Sequence, residues 1–289
     1  MNPRELAQSY GFCNQIAKRE AKNFYFAFIL LPKHKRLAMS AIYAFMRICD
    51  DRVDKASSIE EARVNLSDWR DQTEKALKGY GSVHSIFPAL KSTMVSFHIP
   101  EKYLWELMDG VAMDLERPIF KTFDELYPYC YRVASVVGIV CLHIFGFDRQ
   151  VAVQAAEHCG IAFQLTNIIR DIKEDFLSGR IYLPQDELDQ FKVCMDDIRS
   201  GERSAAWEQC IQFQRLRAED FFQKGARVID FIEPDSRAAF STLFDIYHRL
   251  LKKMGRSPEK LFRQRARLSF IEKSSVVLRH LLRSSRRGH

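Results

Sequence analysis

The stretch FQLTNIIRDIKED, residues 163–175, is apolar around most of a helix and carries four polar residues on one side. At about 100° per residue, these four positions fall in one narrow sector of an α-helix. We call them the second stripe: Gln164, Asn167, Asp171 and Asp175. A helix that is apolar elsewhere is usually buried, and buried carboxylates are costly unless they are paired or bind a cation. The stretch therefore predicts a core helix whose acids have a partner.

A second stretch, AIYAFMRICDDRVD at residues 41–54, has the same design. Its polar residues form the first stripe: Tyr43, Arg47, Asp50 and Asp54. Each stripe ends in two aspartates at i and i+4, whose side chains lie about 6 Å apart on a helix. Such pairs suit Mg²⁺, or Mn²⁺ as an alternative, shared with phosphate oxygens of a substrate. One stripe alone is typical of a solvated helix face, but two alike favour a functional site.

The rest of the chain predicts an all-α protein in one domain, residues 1–289. Of its 289 residues 47% are hydrophobic, helical periodicity dominates, and no linker rich in glycine or serine divides it. The segment GRIYLPQDEL, residues 179–188, is predicted to be a loop because Gly179 and Pro184 interrupt the periodicity. Helices are predicted near residues 4–22, 34–54, 58–79, 84–97, 101–116, 123–145, 148–177, 203–231, 235–254 and 258–283.

The amino-acid composition indicates which cellular compartment and which partners to expect. Seven scattered cysteines without a CxxC spacing indicate neither a disulfide framework nor a zinc site, so a reducing cytoplasm is predicted. The apolar stretch VASVVGIVCLHIFGF looks too short for a membrane span. The net charge of +7 is concentrated near the C-terminus. The basic tail at about 284–289 is either a solvated helix end or a peripheral contact with anionic lipid. Nucleic-acid binding would need a basic stripe with aromatic residues, which the sequence lacks.

Three segments resemble the squalene/phytoene synthase family in order and spacing. They are NFYFAFILLPKHKRLAMSAIYAFMRICDDRVD at 23–54, YCYRVASVVGIVCLHIFGF at 129–147, and FQLTNIIRDIKEDFLSGRIYLP at 163–184. The resemblance runs from about residue 14 to about residue 280. It implies the isoprenoid synthase fold, a single helical bundle around a central cavity with two aspartate motifs facing each other at its mouth.

The resemblance also implies roles for individual residues. The metal-binding positions would be Asp50, Asp54, Asn167, Asp171 and Asp175. The positions that contact diphosphate would be Arg47, Arg170, Tyr247 and Arg265, while Tyr129 is a catalytic candidate by family position, as Tyr43 is by its place on the first stripe. Gln164 and Phe24 are further candidates for substrate contact. Where many members have hydroxyl residues before this phenylalanine, the chain has Ala21, Lys22 and Asn23, so Lys22 is a candidate for the missing contacts.

The implied reaction is the head-to-head condensation of two prenyl diphosphates through a cyclopropylcarbinyl diphosphate. Ionising an allylic diphosphate needs cations for the leaving group and a dry, aromatic enclosure for the carbocation. Within the family, the second and third segments are most similar to enzymes that make presqualene diphosphate from two farnesyl diphosphates. The alternatives are a phytoene synthase that uses geranylgeranyl diphosphate, a full squalene synthase with NADPH, and a noncatalytic isoprenoid-binding or assembly protein. No GxGxxG follows a strand, so the sequence does not support an NADPH site.

Overall fold

A computed structural model describes residues 2–80, 84–116, 118–194, 196, 199, 204–256, 261 and 265–287, without the side chains of 22, 23 and 283–287. Within those residues the fold is all-α, and the one β-type contact is an isolated bridge between Phe147 and Ile232. The longer helices are α1 Pro3–Glu20, α2 Lys22–Phe28, α3 Lys33–Asp54, α4 Ile59–Lys78, α5 Phe87–Ser96, α6 Lys102–Leu115, α7 Phe123–Cys130, α8 Val136–Phe145, α9 Val151–Leu177, α11 Ala205–Gly225, α13 Arg237–Arg256 and α14 Phe270–Arg287. Two short helices, α10 Gln185–Gln190 and α12 Val228–Phe231, complete the set.

Helix α9, which carries the second stripe, runs through the centre of the bundle. It packs against α11 on one side and against α7, α8 and the π-helical turn Tyr131–Ser135 on another. Two glycines allow this close packing. A Cβ on Gly160 would lie 2.3 Å from the Cα of Ser135, and one on Gly225 would lie 2.6 Å from the Cα of Cys159. Because no larger residue fits, these contacts fix how α9 sits among its neighbours.

A central apolar cavity lies between α2, α3, α8, α9 and α13. From Asn167 at its upper end to Ala156 at its lower end, the lining spans twelve residues of α9, which lie about 16 Å apart from first to last. Large side chains close the lower end, which we call the base: Leu31, Met39, Phe145 and Phe240. The described lining below Asn167 is almost wholly apolar, so the cavity suits a hydrocarbon chain.

A buried lysine fixes the base. Lys35, at the start of α3, is 3% exposed. Its Nζ lies 2.9 Å from the carbonyl oxygen of Phe145, 2.6 Å from Glu233 Oε2, 2.6 Å from Asp235 Oδ1 and 3.0 Å from Ser236 Oγ. The lysine therefore ties α3 to the end of α8 and to the turn before α13, with its charge fully compensated.

Several predicted elements are corrected. The first predicted helix, 4–22, ends at Glu20, and α2 begins anew after Ala21. The helix predicted over 258–283 begins only at Phe270 within the described residues, after segment 265–269, which has no regular secondary structure. The loop predicted at 179–188 ends in the short helix α10. The helix predicted at 123–145 is present, with the π turn in its middle.

One helical run, Phe123–Phe145, is long and apolar enough to cross a membrane by length and composition alone. The prediction that this apolar stretch is too short for a span is wrong in length, because the π turn joins α8 to α7. Half of its most apolar window is buried inside the bundle, and Val136, Ile139 and Val140 are almost fully covered. Burial of that extent is typical of the core helix of a soluble protein.

Candidate active site

The two stripes converge at the upper end of the cavity, which we call the mouth. Asp114 lies on α6 between Asp50 on α3 and Asp175 on α9, and its charge raises the pKa of both. Asp50, Asp114 and Tyr129 line one recess at the mouth, while Tyr129, Asp171 and Asp175 line the next. The fold therefore brings the predicted aspartate pairs together across a shared site.

The mouth holds more buried negative charge than its cations offset. Burial raises the pKa of Asp50 to about 7, and the neighbouring charge of Asp54 adds to the effect. Burial likewise raises the pKa of Asp175 to about 7, assisted by the charge of Asp171. Burial also raises the pKa of Asp114. Three carboxyls that resist ionisation in one site are typical of a place where a cation binds.

Asp171 differs from the other acids because two arginines hold it. Arg170 Nε donates to its Oδ1 at 2.7 Å, and Arg265 contacts the same carboxylate through Nε at 2.7 Å and NH2 at 2.8 Å. Arg265 also reaches Glu174 at 3.4 Å. Two of the three arginines predicted to contact diphosphate, Arg170 and Arg265, are thus at the mouth, where they pair with one of the predicted metal ligands.

Arg47 is on the opposite side of the mouth and pairs with Asp51, one turn further along α3. Its charge lowers the pKa of Asp50, which opposes the effect of burial. Its Nε is buried and has no hydrogen-bond partner. An unused buried donor next to the acidic site is suited to an anionic ligand.

Asn167 and Gln164 stand where the mouth meets the apolar cavity. Asn167 Nδ2 donates to Gln164 Oε1 at 3.3 Å, and Asn167 Oδ1 is buried without a hydrogen-bond partner. This oxygen and the carboxylates of the two aspartate pairs are the hard oxygen ligands that Mg²⁺ prefers. In the described part of the chain no three acidic, histidine or cysteine side chains converge closely enough to hold an ion alone. The residues therefore fit a metal that is shared with phosphate oxygens.

Aromatic side chains form a collar just below the mouth. The Tyr247 ring stacks on Phe163 with a centroid separation of 4.2 Å, and Phe24 contacts Tyr247 at 6.0 Å and Tyr43 at 6.4 Å. Tyr247 is buried, and burial raises its pKa. Burial raises the pKa of Tyr43 to about 12. The collar thus presents neutral π faces at the entry to the apolar cavity.

Tyr129 is buried beside the acids and donates its hydroxyl to Asp114 Oδ1 at 2.9 Å. Tyr182 donates to the same oxygen at 2.8 Å, and the two rings stack at 5.1 Å. Together the hydroxyls lower the pKa of Asp114 and partly offset its burial. The arrangement holds Asp114 between the two aspartate pairs.

Three residues at the mouth are not predicted from the sequence: Asp114, Arg180 and Tyr182. Asp114 has no acidic neighbour at helical spacing that points to the site, so no stripe reveals it. Arg180 follows α9 in the GRIYLP segment, its charge lowers the pKa of Asp175, and its Nε is buried without a hydrogen-bond partner. The sequence predicts only a loop for that segment. Arg180 and Tyr182 follow the second stripe closely in the sequence, and this nearness is the signal that could have indicated a place at the mouth.

Two predicted features lie outside the described residues. The side chain of Lys22 is not described, so its suggested contact with diphosphate stays a prediction. The side chains of the basic tail at 284–289 are not described either, although the backbone of α14 continues to Arg287.

Comparison with known proteins agrees with this geometry. Residues 17–272 match the squalene/phytoene synthase family. The chain is 34% identical over 283 residues to a phytoene synthase of Mycobacterium bovis, covering 94% of this chain and 90% of the relative. It is 33% identical over 273 residues to a 15-cis-phytoene synthase of Synechococcus elongatus, covering 90% and 88% respectively.

Solved structures show the same fold. A dehydrosqualene synthase in complex with a ligand superposes with a TM-score of 0.89 at 26% identity, over 99% of both chains. The squalene synthase HpnC from Alicyclobacillus acidocaldarius superposes with a TM-score of 0.82 at 25% identity, over 89% of this chain and 96% of that one. The helical bundle is therefore the isoprenoid synthase fold. With its family and fold both shown, the chain is a prenyltransferase that belongs to the squalene/phytoene synthase family.

Proposed function

We propose that the enzyme joins two farnesyl diphosphates head to head (1'-1) to give presqualene diphosphate, in squalene or hopanoid biosynthesis. The observation that carries this proposal is a mouth built for diphosphate above an apolar cavity closed by bulky residues. The base residues Leu31, Phe145 and Phe240 limit the length of chain that fits. Likeness to a dehydrosqualene synthase and a squalene synthase supports the shorter farnesyl chain.

In the proposed reaction the C–O bond of one farnesyl diphosphate breaks, and diphosphate leaves with the electron pair. The resulting allylic carbon adds to the double bond of the second molecule. That same allylic carbon then loses one of its protons and bonds to the other carbon of the double bond, which closes the three-membered ring, so two substrates give presqualene diphosphate, diphosphate and a proton. Arg170, Arg265 and Arg47 would hold the diphosphates at the mouth. The collar of Phe24, Tyr43 and Tyr247 would face the carbocation and exclude water.

We further propose that Mg²⁺, or Mn²⁺ in its place, binds to Asp50, Asp54, Asn167, Asp171 and Asp175. The raised pKa of Asp50 and Asp175 and the unused Oδ1 of Asn167 support this assignment. A divalent ion supplies Lewis-acid stabilisation of the leaving diphosphate. The protein's contribution is to keep the carboxylates close together and to orient Asp114 through Tyr129 and Tyr182.

Phytoene synthesis from two geranylgeranyl diphosphates is the second candidate. It is favoured by 34% identity to a protein named phytoene synthase over nearly the whole chain. The two candidates share every residue at the mouth and differ in the length of chain that the cavity must hold. They therefore predict different products from the same catalytic residues.

The deciding experiment is incubation of the purified protein with Mg²⁺ and either farnesyl or geranylgeranyl diphosphate, with and without NADPH. Lipid products are identified by mass spectrometry. We expect presqualene diphosphate from farnesyl diphosphate, unchanged by NADPH, because the proposed reaction ends before reduction.

Other outcomes assign other functions. Squalene formed only with NADPH would make the protein a full squalene synthase, and phytoene from the longer substrate would make it a phytoene synthase. No product from either substrate, with binding of both, would indicate a noncatalytic isoprenoid-binding or assembly protein. Asp50→Asn serves as the control for contaminating activity, because it removes a proposed metal ligand.

We expect the enzyme to act in the cytoplasm on prenyl diphosphates, without nucleic-acid partners. Cysteine usage supports this location, since five of the seven cysteines are buried in the core.

A further inference from the structure

Helix α14 is apolar on two opposite sides. Its inner side packs on the bundle through Val276, which is fully buried, and His280, which contacts Asp245 at 2.9 Å. At 100° per residue, Ile271, Leu278 and Leu282 fall within about 40° of one another on the opposite side. Their exposed fractions are 79%, 58% and 58%. We call these three residues the outer stripe.

The outer side of a surface helix is normally polar, so the outer stripe is unusual. Among the described residues, five of the fifteen exposed large apolar side chains lie on this one helix. Single exposed apolar residues are common on protein surfaces, whereas a cluster marks an interaction surface. The five are Phe270, Ile271, Leu278, Leu281 and Leu282.

The helix is also strongly basic. Its sequence, FIEKSSVVLRHLLRSSRR, has five lysines and arginines and one acid. That acid, Glu272, is already occupied, since it contacts Lys253 at 3.1 Å and accepts from the backbone N–H of Ser269 at 2.6 Å. Arg279 is exposed next to the outer stripe. The helix therefore combines an exposed apolar stripe with a net positive charge.

We propose that the outer stripe of α14 docks on an anionic lipid bilayer. Ile271, Leu278 and Leu282 enter the boundary between headgroups and acyl chains, while Arg279 lies against anionic headgroups. This pairing of apolar insertion with basic attraction is how amphipathic helices bind membrane surfaces.

Charge favours lipid over the other occupants of such a face. A symmetric contact with a second copy would bring two identical basic helices together, which like-charge repulsion opposes. A nucleic acid would satisfy the charge but would leave the outer stripe without an apolar partner. An anionic bilayer satisfies both features.

The position of α14 gives the docking a consequence. The helix packs on α2 and α13, which form two walls of the cavity, and Phe270 contacts Phe26 of α2 with a centroid separation of 5.7 Å. Docking would place these walls next to the bilayer. If the proposed function is correct, a product with two long hydrocarbon chains would form beside the phase in which it dissolves. The docking itself does not depend on the proposed function.

The test is co-sedimentation of the full chain with vesicles of phosphatidylcholine, with or without phosphatidylglycerol, in the absence of substrate. We expect binding to the anionic vesicles that weakens at high salt, with little binding to the neutral ones. Leu278→Glu should weaken binding at least tenfold. The matched control is Leu216→Glu on α11, where the leucine is 54% exposed and away from α14, and which should bind as the parent does.

A second pair tests the electrostatic part. Arg279→Glu should weaken binding to anionic vesicles and flatten its salt dependence, whereas Arg63→Glu on α4, also an exposed position, should change neither. Circular dichroism and a thermal melt establish that each variant is folded, and turnover with detergent-solubilised substrate should be unchanged in Leu278→Glu.

Three results would overturn the proposal. They are no binding of the parent to anionic vesicles, equal binding of Leu278→Glu and Leu216→Glu, or a dimer by light scattering that Leu278→Glu converts to a monomer. The last would make the outer stripe an interface between copies. Since vesicle binding is measured without substrate, failure here leaves the proposed function standing, and failure of the product assay leaves the docking standing.

Discussion

The base and the mouth of the bundle differ in how many partners their buried charged groups have. At the base, Lys35 lies within 3.0 Å of two carboxylates, a hydroxyl and a backbone carbonyl, so its charge is fully matched. At the mouth, burial and mutual repulsion raise the pKa of Asp50 and Asp175 to about 7. Both ends contain buried ionisable residues, but the buried lysine at the base has a full set of partners, whereas the buried acids at the mouth do not.

This difference separates a structural ion cluster from a ligand site. A buried charge with a complete set of partners contributes to the fold, and it loses that contribution when one partner is removed. Buried acids without sufficient cations destabilise the empty protein, and binding of a cation restores the lost stability. Four experiments test this contrast, in order of decreasing expected effect.

Replacing an acid at the mouth should abolish turnover and spare the fold. Asp50→Asn removes a proposed metal ligand and also a source of repulsion, so we expect turnover to fall by about 10³-fold or more. The melting temperature without metal should stay the same or rise. Asp71→Asn, at an exposed position on α4, is the matched control for activity. Turnover within about threefold of the parent in Asp50→Asn would contradict the metal assignment.

Replacing the lysine at the base should have the reverse effect. Lys35→Met leaves Glu233 and Asp235 without their cation, so we expect the free energy of unfolding to fall by about 2–3 kcal/mol. Turnover per folded molecule should remain near that of the parent. Urea denaturation measures the first quantity, and active-site-normalised assays measure the second. Lys33→Met, at an exposed position at the start of the same helix, should change neither; a stable but inactive Lys35→Met would show that the base takes part in catalysis.

Replacing Arg265 tests whether the edge of the mouth contributes to diphosphate binding. In Arg265→Ala the contact with Asp171 and the proposed contact with diphosphate are both lost, and we expect KM to rise about tenfold with a smaller change in kcat. Arg267→Ala, two residues further along the chain and exposed, is the control. Steady-state kinetics with farnesyl diphosphate provide the measurement, and an unchanged KM would remove Arg265 from the diphosphate site.

The raised pKa values also predict how stability depends on pH. Between about pH 4 and about pH 7 the folded protein keeps protons on Asp50 and Asp175 that the unfolded chain releases, so stability falls as pH rises through this window. Mg²⁺ must displace those protons, and it should therefore raise the melting temperature more at about pH 8 than at about pH 5, by about 3 °C. Thermal melts with Mg²⁺ and with EDTA measure the difference. Equal stabilisation at both pH values would argue against binding to these carboxyls.

The sequence was most informative where a residue type repeats with the period of a helix. The two stripes and the helices that carry them could be predicted because aspartates at i and i+4 on an apolar helix are rare unless they are paired or bind a cation. Asp114 was missed because it comes from a third helix and acquires its role only through packing. Its partners Tyr129 and Tyr182 are 15 and 68 residues away along the chain.

Boundaries and pairings were less predictable for physical reasons. No proline or glycine marks the break at Ala21 between α1 and α2. The segment before Phe270 is not helical in spite of residues that favour helix, because tertiary contacts such as that of Arg265 with Asp171 outweigh local propensity. The partner of Arg47 was not predictable either, since Asp50, Asp51 and Asp54 are all within its reach.

The π-helical turn Tyr131–Ser135 makes this part of the chain sensitive to insertions and deletions. The turn contains one residue more than an α-helical turn and lies between Tyr129, which holds Asp114, and the α8 residues that line the cavity. Deleting one residue there would turn every later position of α8 by about 100° relative to Tyr129. The turn therefore fixes the rotation of the part of the helix that holds Asp114 relative to the part that lines the cavity. A single-residue insertion or deletion in this segment would disconnect the two parts.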